Sequence, residues 1–505
     1  MKKYLLVSAL SLLMTAQTHA ERAETVVQQN NSITKSVISS PIFLGTGSQS
    51  FPLNVPEIKI DLTPSTTGIF KSGAIYHFPA PVMASQFAWE RVSGGYVARI
   101  KLTSGQAKGL RYHLVFNQEI PAIKFRLHGN QDTAPINVLD QSAIHDSNVW
   151  LPVTDGNQAD LEIFVDESVS SDSVFSIDAI NVIVADVNSG NPAEIQVKSL
   201  GLAKKPESDL ACWADDKNYP ALSAAANATA RIDIIIDATH SGYCTGTLLS
   251  DKNGTKTPWL ATANHCLADQ ATANNASFKW FYQATTCKGK ATDSRSVTTG
   301  GGAQLLWTDF KLEGAFLKLN TPPPKGAVFM GWNTDMHVND EVWGVHHPET
   351  DHTMVSRGTV SNLLQNTTYK EGAHLVNTVS YIDGGVEGGS SGSGLFSIVN
   401  GSAYWQGTLI GAYKSNYQLA EYSDFNSYYP NIKQWLAGSG DMAGNAEIDD
   451  LYNKYAAYFG AKSGKNFICY VAYTCQNLAS GKAIGVHNAS KLLYWFDGAI
   501  WSLYK

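Results

Sequence analysis

The feature that most constrains the fold is a succession of short apolar runs with a period near two. Between residues 21 and 205 these runs include GGYVARIKL, YHLVFNQ, AIKFRLHG, DLEIFVDE and VFSIDAINVIVADV, and Gly, Asn, Asp and Ser residues separate them. Successive side chains of a strand point to opposite faces of its sheet, so this pattern predicts half-buried strands. The sequence therefore predicts that residues 21–205 form an all-β region.

The first twenty residues have the pattern of a secretory signal: two lysines, a short apolar run and a Thr-His-Ala end. We expect cleavage after Ala20 and export from the cell. The run is too short to span a membrane, and no later run reaches the ~20 apolar residues that a spanning helix needs. A formal net charge of −7, without a Lys/Arg-rich run, argues against a nucleic-acid partner.

The six cysteines fit an exported protein, because disulfides persist outside the cytoplasm. All of them follow residue 205, so residues 21–205 must fold without disulfides, whereas the rest of the chain can contain them. Strand-like runs return in residues 206–438, and the end of this part, YYPNIKQWLAG, looks helical; this pattern predicts a double β-barrel closed by a terminal helix. We place a domain boundary and a candidate processing site at Lys204 and Lys205, and a small separate module at 439–505.

The stretch VEGGSSGSGLF, residues 386–396, has the composition of a flexible linker. Strand-like runs, LFSIV and GTLIGAY, follow it at once, which is unusual for a linker between domains. Upstream, WLATANHCLAD contains His265 beside Cys266, and SGYCTGTLLS contains Cys244. Acyl transfer by a serine needs a base, an acid that orients the base, and hydrogen-bond donors for the oxyanion.

In order along the chain, CTGTL, LATANHC and GSSGS resemble the motifs of the trypsin-like serine proteases, most closely the bacterial lysyl endopeptidase branch. The resemblance implies a trypsin-like double β-barrel that uses no cofactor and acts on protein or peptide substrates. It implies that Ser391 is the nucleophile and His265 the general base. The backbone N–H groups of Gly389 and Ser391 would form the oxyanion hole.

The resemblance also implies the disulfides Cys212–Cys287, Cys244–Cys266 and Cys469–Cys475. Digestive relatives have an aspartate before the nucleophile that pairs with a new N-terminal ammonium, whereas this chain has Ser390. We therefore do not expect activation by that ion pair. The resemblance implies instead that residues 21–205 are a propeptide, which assists folding and blocks the site until it is cut away. The alternative is a permanent accessory β-domain.

Two acids compete for the third position of the triad. The local sequence WTDF resembles the family pattern and favours Asp309. Strand register favours Glu313 instead, because every second residue after it, Ala315, Leu317 and Leu319, is apolar. The same count of alternate positions from Asp309 would bury Lys311 and Glu313, and burial of an unpaired charge costs several kcal/mol. We prefer Glu313 and keep Asp309 as the alternative.

Substrate preference depends on two further residues. Asp424, in EYSDFNSYYP, lies where the resemblance places the carboxylate that binds a substrate lysine or arginine. Lys414 lies where the branch has a histidine near the pocket, and an inward ammonium would favour acidic substrates instead. The sequence thus predicts a secreted serine endopeptidase that cleaves after Lys or Arg. The alternatives are an inactive, adhesive trypsin-like protein and a protease with acidic preference.

The remaining candidate groups have plainer interpretations. His346, His347 and His352 lack the partners of a tetrahedral metal site, so we predict a structural role for them and no metal. The aromatic residues of the last module are interpreted as its core, with carbohydrate or protein binding as the alternative.

Overall fold

The computed structural model describes residues 21–27, 50–59, 69–116, 123–133, 136–138, 148–166, 175–184, 208–349, 351–369, 372–413 and 416–437, and four strands between 473 and 503. The predicted signal, the Lys204–Lys205 boundary and the first segment of the C-terminal module lie outside the described residues. No helix among those described is long and apolar enough to cross a membrane.

Thirteen strands precede residue 185 in the described chain. They are β1 Arg22–Ala23, β2 Val26–Val27, β3 Phe51–Asn54, β4 Phe70–Met83, β5 Glu90–Val92, β6 Gly95–Thr103, β7 Gly109–Phe116, β8 Ile123–Gly129, β9 Ile136–Val138, β10 Asn148–Trp150, β11 Thr154–Asp155, β12 Gln158–Asp166 and β13 Phe175–Ile183. One turn of 3₁₀ helix, Ala84–Gln86, follows β4.

Sixteen strands and three α-helices follow between residues 208 and 436. The strands are β14 Ser208–Asp209, β15 Thr229–Ile235, β16 His240–Leu249, β17 Trp259–Thr262, β18 Ser277–Trp280, β19 Val297–Thr299, β20 Ala303–Asp309, β21 Gly314–Leu319, β22 Val328–Phe329, β23 Trp332–Asn333, β24 Glu341–His346, β25 Met354–Tyr369, β26 Gly372–Asp383, β27 Gly394–Val399, β28 Ser402–Tyr413 and β29 Asn416–Ser423. The helices are α1 Tyr219–Ala228, α2 Gln270–Asn274 and α3 Phe425–Leu436, and a 3₁₀ turn covers Leu210–Trp213.

The period-two pattern of the sequence matches the buried faces of the strands. In β8, residues Ile123, Phe125 and Leu127 are buried, and the residues between them are more exposed. Strands β3, β5, β6, β8, β9 and β12 form one sheet, and β4, β7, β10, β11 and β13 belong to a second. A common apolar core lies between these strands, which explains how this part of the chain is organised without cysteines.

Strands β24–β29 close into a six-stranded barrel. They pair in the order β28, β27, β24, β25, β26 and β29, and β29 pairs with β28 again. Strands β15–β21, which come earlier in the chain, form another curled sheet around its own apolar core, and we call it the first barrel. Helix α3 packs between the two, where its Phe425 and Tyr428 contact Trp405. The all-β double-barrel prediction is confirmed, and the helix at the end of YYPNIKQWLAG begins earlier, at Phe425.

Strand β4 connects the N-terminal strands to the first barrel. It pairs antiparallel with β16, in a register that places Phe70 opposite Tyr243 and Lys71 opposite Gly242. One continuous sheet therefore runs from residues before 185 into the barrel that carries His265. At the other end of the chain, β30 Tyr473–Leu478, β31 Lys482–His487, β32 Leu493–Phe496 and β33 Trp501–Leu503 form an antiparallel sheet.

Candidate active site

A histidine–carboxylate pair, in which the carboxylate is buried and the histidine partly buried, lies at the edge of the first barrel. His265 follows β17, and Glu313 immediately precedes β21, which pairs with β17. The Nδ1 atom of His265 lies 2.9 Å from Oε2 of Glu313, whose residue is 2% exposed. The carboxylate accepts the Nδ1 proton, so Nε2 is left as the basic nitrogen of a neutral imidazole. This Nε2 atom is buried and has no hydrogen-bond partner among the described residues.

The hairpin β20–β21 separates the two competing acids. Asp309 lies opposite Gly314 at the end of the hairpin, and its carboxylate accepts the Leu312 N–H at 2.8 Å. Glu313 has a φ of +50°, in the left-handed region that side chains other than glycine rarely adopt. Such strain persists where the surrounding structure fixes it, often at functional sites. The structure thus brings Glu313, rather than Asp309, to the histidine.

The loop that contains Ser391 is folded tightly over β16. Gly389 and Gly392 have φ values of +91° and +81°, and a Cβ on Gly389 would lie 2.2 Å from the Tyr243 ring. The Thr245 N–H donates to the carbonyl of Ser391 at 2.8 Å. The backbone N–H groups of Gly389 and Ser391 make no hydrogen bond in the described part of the chain. Two free donors beside a serine are what an oxyanion hole requires.

A buried histidine supports this loop from beneath. Nδ1 of His346 lies 2.8 Å from Oγ of Ser390, and its Nε2 lies 3.0 Å from Oγ of Ser356. Ser356 Oγ donates to the Gly385 carbonyl, so it accepts the Nε2 proton, and Ser390 donates to Nδ1. Burial lowers the pKa of His346 to about 3, which keeps the imidazole neutral.

Sequence reasoning assigned His346 only a general structural role and did not link it to Ser390. The one sequence signal was that Ser390 lacks the charge of an aspartate, so the group that contacts it has no ion pair to form. The other two histidines contact different groups: His352 Nε2 lies 2.9 Å from Thr292 Oγ1, and His347 Nδ1 lies 3.3 Å from the Asp351 carbonyl. The three imidazoles thus have separate hydrogen-bond partners, although the Tyr282 ring lies beside both His347 and His352.

The proposed specificity carboxylate caps a helix. Asp424 precedes α3, and its Oδ2 accepts the backbone N–H of Ser427 at 2.9 Å. The Oδ1 atom of Asp424 accepts a hydrogen bond from Nδ2 of Asn377 at 3.0 Å. Asp424 is 7% exposed. Three hydrogen bonds, one of them from Ser427 Oγ, fix the carboxylate in place. Lys414 lies outside the described residues.

The cysteines of the protease region form two disulfides, Cys212–Cys287 and Cys244–Cys266. The second joins β16 to the residue after His265, and so restrains the histidine. In the described part of the chain, the one cluster of possible metal ligands is Cys244, His265 and Cys266, and its sulfurs are joined to each other. The predicted Cys469–Cys475 pair falls outside the side chains that the structure describes.

The N-terminal strands reach the nucleophile loop at one aromatic residue. The ring of Phe70 packs against Gly388 and meets the Tyr243 ring edge-on, with centroids 5.3 Å apart. Tyr243 in turn contacts Gly389, one of the two residues with a free N–H. Strand β4 therefore lies directly beside the loop that carries Ser391.

Two β-barrels that carry a His–carboxylate pair and a glycine-turned serine loop are typical of the class of trypsin-like proteases. A family model described as the lysyl endopeptidase C-terminal domain matches residues 200–429. A model of the lysyl endopeptidase N-terminal domain matches residues 78–180. The chain is therefore similar to lysyl endopeptidases in two separate regions, which together make up more than half of its length.

One relative is a lysyl endopeptidase from Pseudomonas aeruginosa, which is 31% identical over 299 residues. The match covers 57% of this chain and 63% of that protein, so the chain spans somewhat less than two thirds of its relative. Solved structures also match. The active form of Rv3671c protease from M. tuberculosis is 15% identical, with a TM-score of 0.32, over 47% of this chain and 89% of that one. The HtrA-type protease AlgW with tripeptide is 16% identical, with a TM-score of 0.31, over 44% and 64%.

Proposed function

We propose that this chain is the precursor of a secreted serine endopeptidase, which cleaves peptide bonds through an acyl-enzyme and prefers substrates with Lys, or Arg, before the cleaved bond. The observation that carries the proposal is the His265–Glu313 pair at 2.9 Å, which leaves the buried Nε2 of His265 without a partner. A basic nitrogen held in this way suits proton transfer from a serine.

In this mechanism, Ser391 Oγ attacks the carbonyl carbon of the substrate while His265 Nε2 takes its proton. The oxyanion of the tetrahedral intermediate accepts hydrogen bonds from the backbone N–H groups of Gly389 and Ser391. His265 then gives its proton to the leaving amine, and the acyl group remains on Ser391. In the second half-reaction, water, deprotonated by His265, attacks the ester; the bond to Ser391 Oγ then breaks, and His265 returns the proton to that oxygen as the carboxylic acid product leaves. Glu313 stabilises the imidazolium that forms in each half.

The proposed preference for Lys or Arg rests on Asp424. Its carboxylate is nearly buried, and it is oriented by Asn377 and Ser427. A fixed, partly dehydrated carboxylate attracts a substrate cation without having to be reoriented on binding. The direction of the Lys414 side chain distinguishes this preference from the acidic alternative. An ammonium directed toward Asp424 would shift the preference to substrates with acidic side chains.

We further propose that residues 21–205 are a propeptide and that 206–438 form the protease domain, with 439–505 as a separate module. The contact of Phe70 with Gly388 and Tyr243 supports this role, because it places β4 over the edge of the nucleophile loop. A substrate chain that extended along β16 would compete with β4 for the same strand edge. Removal of β4 would therefore open the site.

The test is to express the exported precursor and assay peptide esters that carry Lys, Arg, Glu or Phe, beside a Ser391→Ala control. We expect turnover of the Lys and Arg esters after processing, and none in the control. Absence of turnover in both proteins would indicate an inactive binding protein. A preference for the Glu ester would assign specificity to Lys414.

A further inference from the structure

The first residues after the predicted signal bind to the protease region, far along the chain from their own position. We call residues 21–27 the N-terminal anchor. Strand β1 of the anchor pairs antiparallel with β23, so that Ala23 lies opposite Trp332. Strand β2 pairs antiparallel with β22, so that Val26 lies opposite Phe329. Seven residues thus add two short strands to the protease region.

A single carboxylate makes the strongest polar contacts of the anchor. The side chain of Glu21 accepts hydrogen bonds from Lys433 Nζ at 2.9 Å, Lys252 Nζ at 2.5 Å and Tyr429 OH at 2.7 Å. Partial burial acts to raise the pKa of Glu21, but these three donors lower it to about 2. Glu24 adds a further contact, since its Oε2 accepts the Tyr404 hydroxyl at 2.6 Å. The receiving surface therefore favours an acidic, extended peptide.

The backbone of the anchor fits closely against Gly331. A Cβ at Gly331 would lie 2.6 Å from the carbonyl oxygen of Ala23 and 2.8 Å from the nitrogen of Thr25. The N–H of Gly331 donates to Thr25 Oγ1 at 2.9 Å. Ala23 is 3% exposed and belongs to the same apolar core as Trp332. Glycine at this position is what allows the two chains to approach.

The contacts of the anchor differ from those of the other N-terminal strands. Anchor residues contact β22, β23, β28, α3 and the turn after β16. Residues 69–184 contact β16, β18 and the end of α2 instead, through β4, the Asp155–Lys279 ion pair and Arg111, which donates to the Asn275 carbonyl. The N-terminal region is therefore attached at two separate places.

We infer that residues 21–27 are a strand-addition anchor that binds the protease region independently of residues 50–184, and remains bound as a noncovalent strand once the chain after it is cut. The inference rests on the proposed function in one respect, that the N-terminal region is removed by processing, and it requires a cut between residues 27 and 50 in addition to the one at Lys204 and Lys205. While the chain is intact, the second attachment gives the anchor a high effective concentration. After cleavage, its own hydrogen bonds and buried contacts hold it.

The test uses the exported chain with Ser391→Ala, so that no self-cleavage occurs and the result is independent of peptidase activity. A site for a sequence-specific protease is placed between residues 30 and 48. After cutting, native mass spectrometry and gel filtration measure whether the short peptide stays with the large fragment. We expect retention in the parent chain, loss with Ala23→Asp, and at least ten-fold faster dissociation with Glu21→Gln. Val27→Thr is the matched control, because Val27 is 55% exposed, and should behave as the parent.

A synthetic peptide of residues 21–27 separates loss of binding from misfolding. Added to the cut Ala23→Asp protein, it should bind, because the receiving strands are unchanged. The inference would be overturned if the cut anchor peptide dissociated from the parent protein as fast as it does from the Ala23→Asp variant. Equal retention in both, or failure of the synthetic peptide to bind, would also overturn it.

Discussion

Replacement of Glu313 by glutamine tests which acid orients the histidine. The amide keeps the shape of the side chain but removes its charge, and its NH₂ group can donate to Nδ1 of His265. The proton of the imidazole then moves to Nε2, and the nitrogen that should accept the serine proton is no longer basic. The variant should therefore lose catalysis while it keeps its fold.

The magnitude follows from the 2.9 Å between His265 Nδ1 and Glu313 Oε2. Two unit charges at that separation attract by about 6 kcal/mol at an effective dielectric constant of about 20. Since about 1.4 kcal/mol corresponds to a factor of ten in rate, loss of this attraction to the imidazolium predicts a fall in kcat of about 10⁴-fold. The loss of an orienting carboxylate in the trypsin-like class has a similar size.

The assay compares kcat for a Lys peptide ester between the processed parent, Glu313→Gln and Asp309→Asn. Asp309→Asn is the matched control, because an asparagine oxygen can still accept the Leu312 N–H. We expect less than a ten-fold change for this control. A fall of less than ten-fold in Glu313→Gln, or a larger fall in Asp309→Asn, would refute the assignment.

Four further results follow from the structure. His346→Leu should lower kcat about 10²-fold with little change in KM, because the nucleophile loop loses the hydrogen bond between His346 and Ser390. His346→Asn should recover part of kcat, and an equal loss of kcat in both variants would exclude a positioning role for His346. The lowered pKa of His346, about 3 against 6.5 when unfolded, means that its contribution to stability is complete above pH 6.5 and is lost as the pH falls toward 3; urea unfolding of the Ser391→Ala precursor should show a smaller acid loss in His346→Asn. With Lys204→Gln and Lys205→Gln to prevent cutting, Phe70→Asp should raise the activity of the precursor, and unchanged activity would contradict a blocking role. Asp424→Asn should reduce the preference for the Lys ester over the Phe ester at least 100-fold, whereas an equal fall for both esters would indicate only a helix cap.

Local pattern was sufficient for much of the site. The serine loop was recognisable because its glycines, the strand after it and the His-Cys motif occur together in order. Glu313 was preferred over Asp309 from strand register, and it does lie beside His265. It reaches the histidine from the turn before β21, however, with a φ of +50° and not from a strand position. The patterns behind these predictions, a strand's alternation and a tight turn, depend on residues that are close in the sequence.

Other contacts could not be predicted because they join distant parts of the chain. Nothing near His346 in the sequence indicates that it hydrogen-bonds to Ser390, 44 residues later. The contacts of Glu21 with Lys252 and Lys433 span 231 and 412 residues. Such pairs depend on how whole sheets pack, which no local pattern specifies.

The sequence by itself determined the strand-rich architecture and the motif that carries the serine, since each of these depends on short-range periodicity or on a few adjacent residues. Only the tertiary structure decided which carboxylate meets the histidine, what supports Ser390, and where residues 21–27 bind. The physical reason is the same in each case. A buried polar group is stabilised by the partner that folding brings to it, and that partner is selected by packing rather than by proximity along the chain.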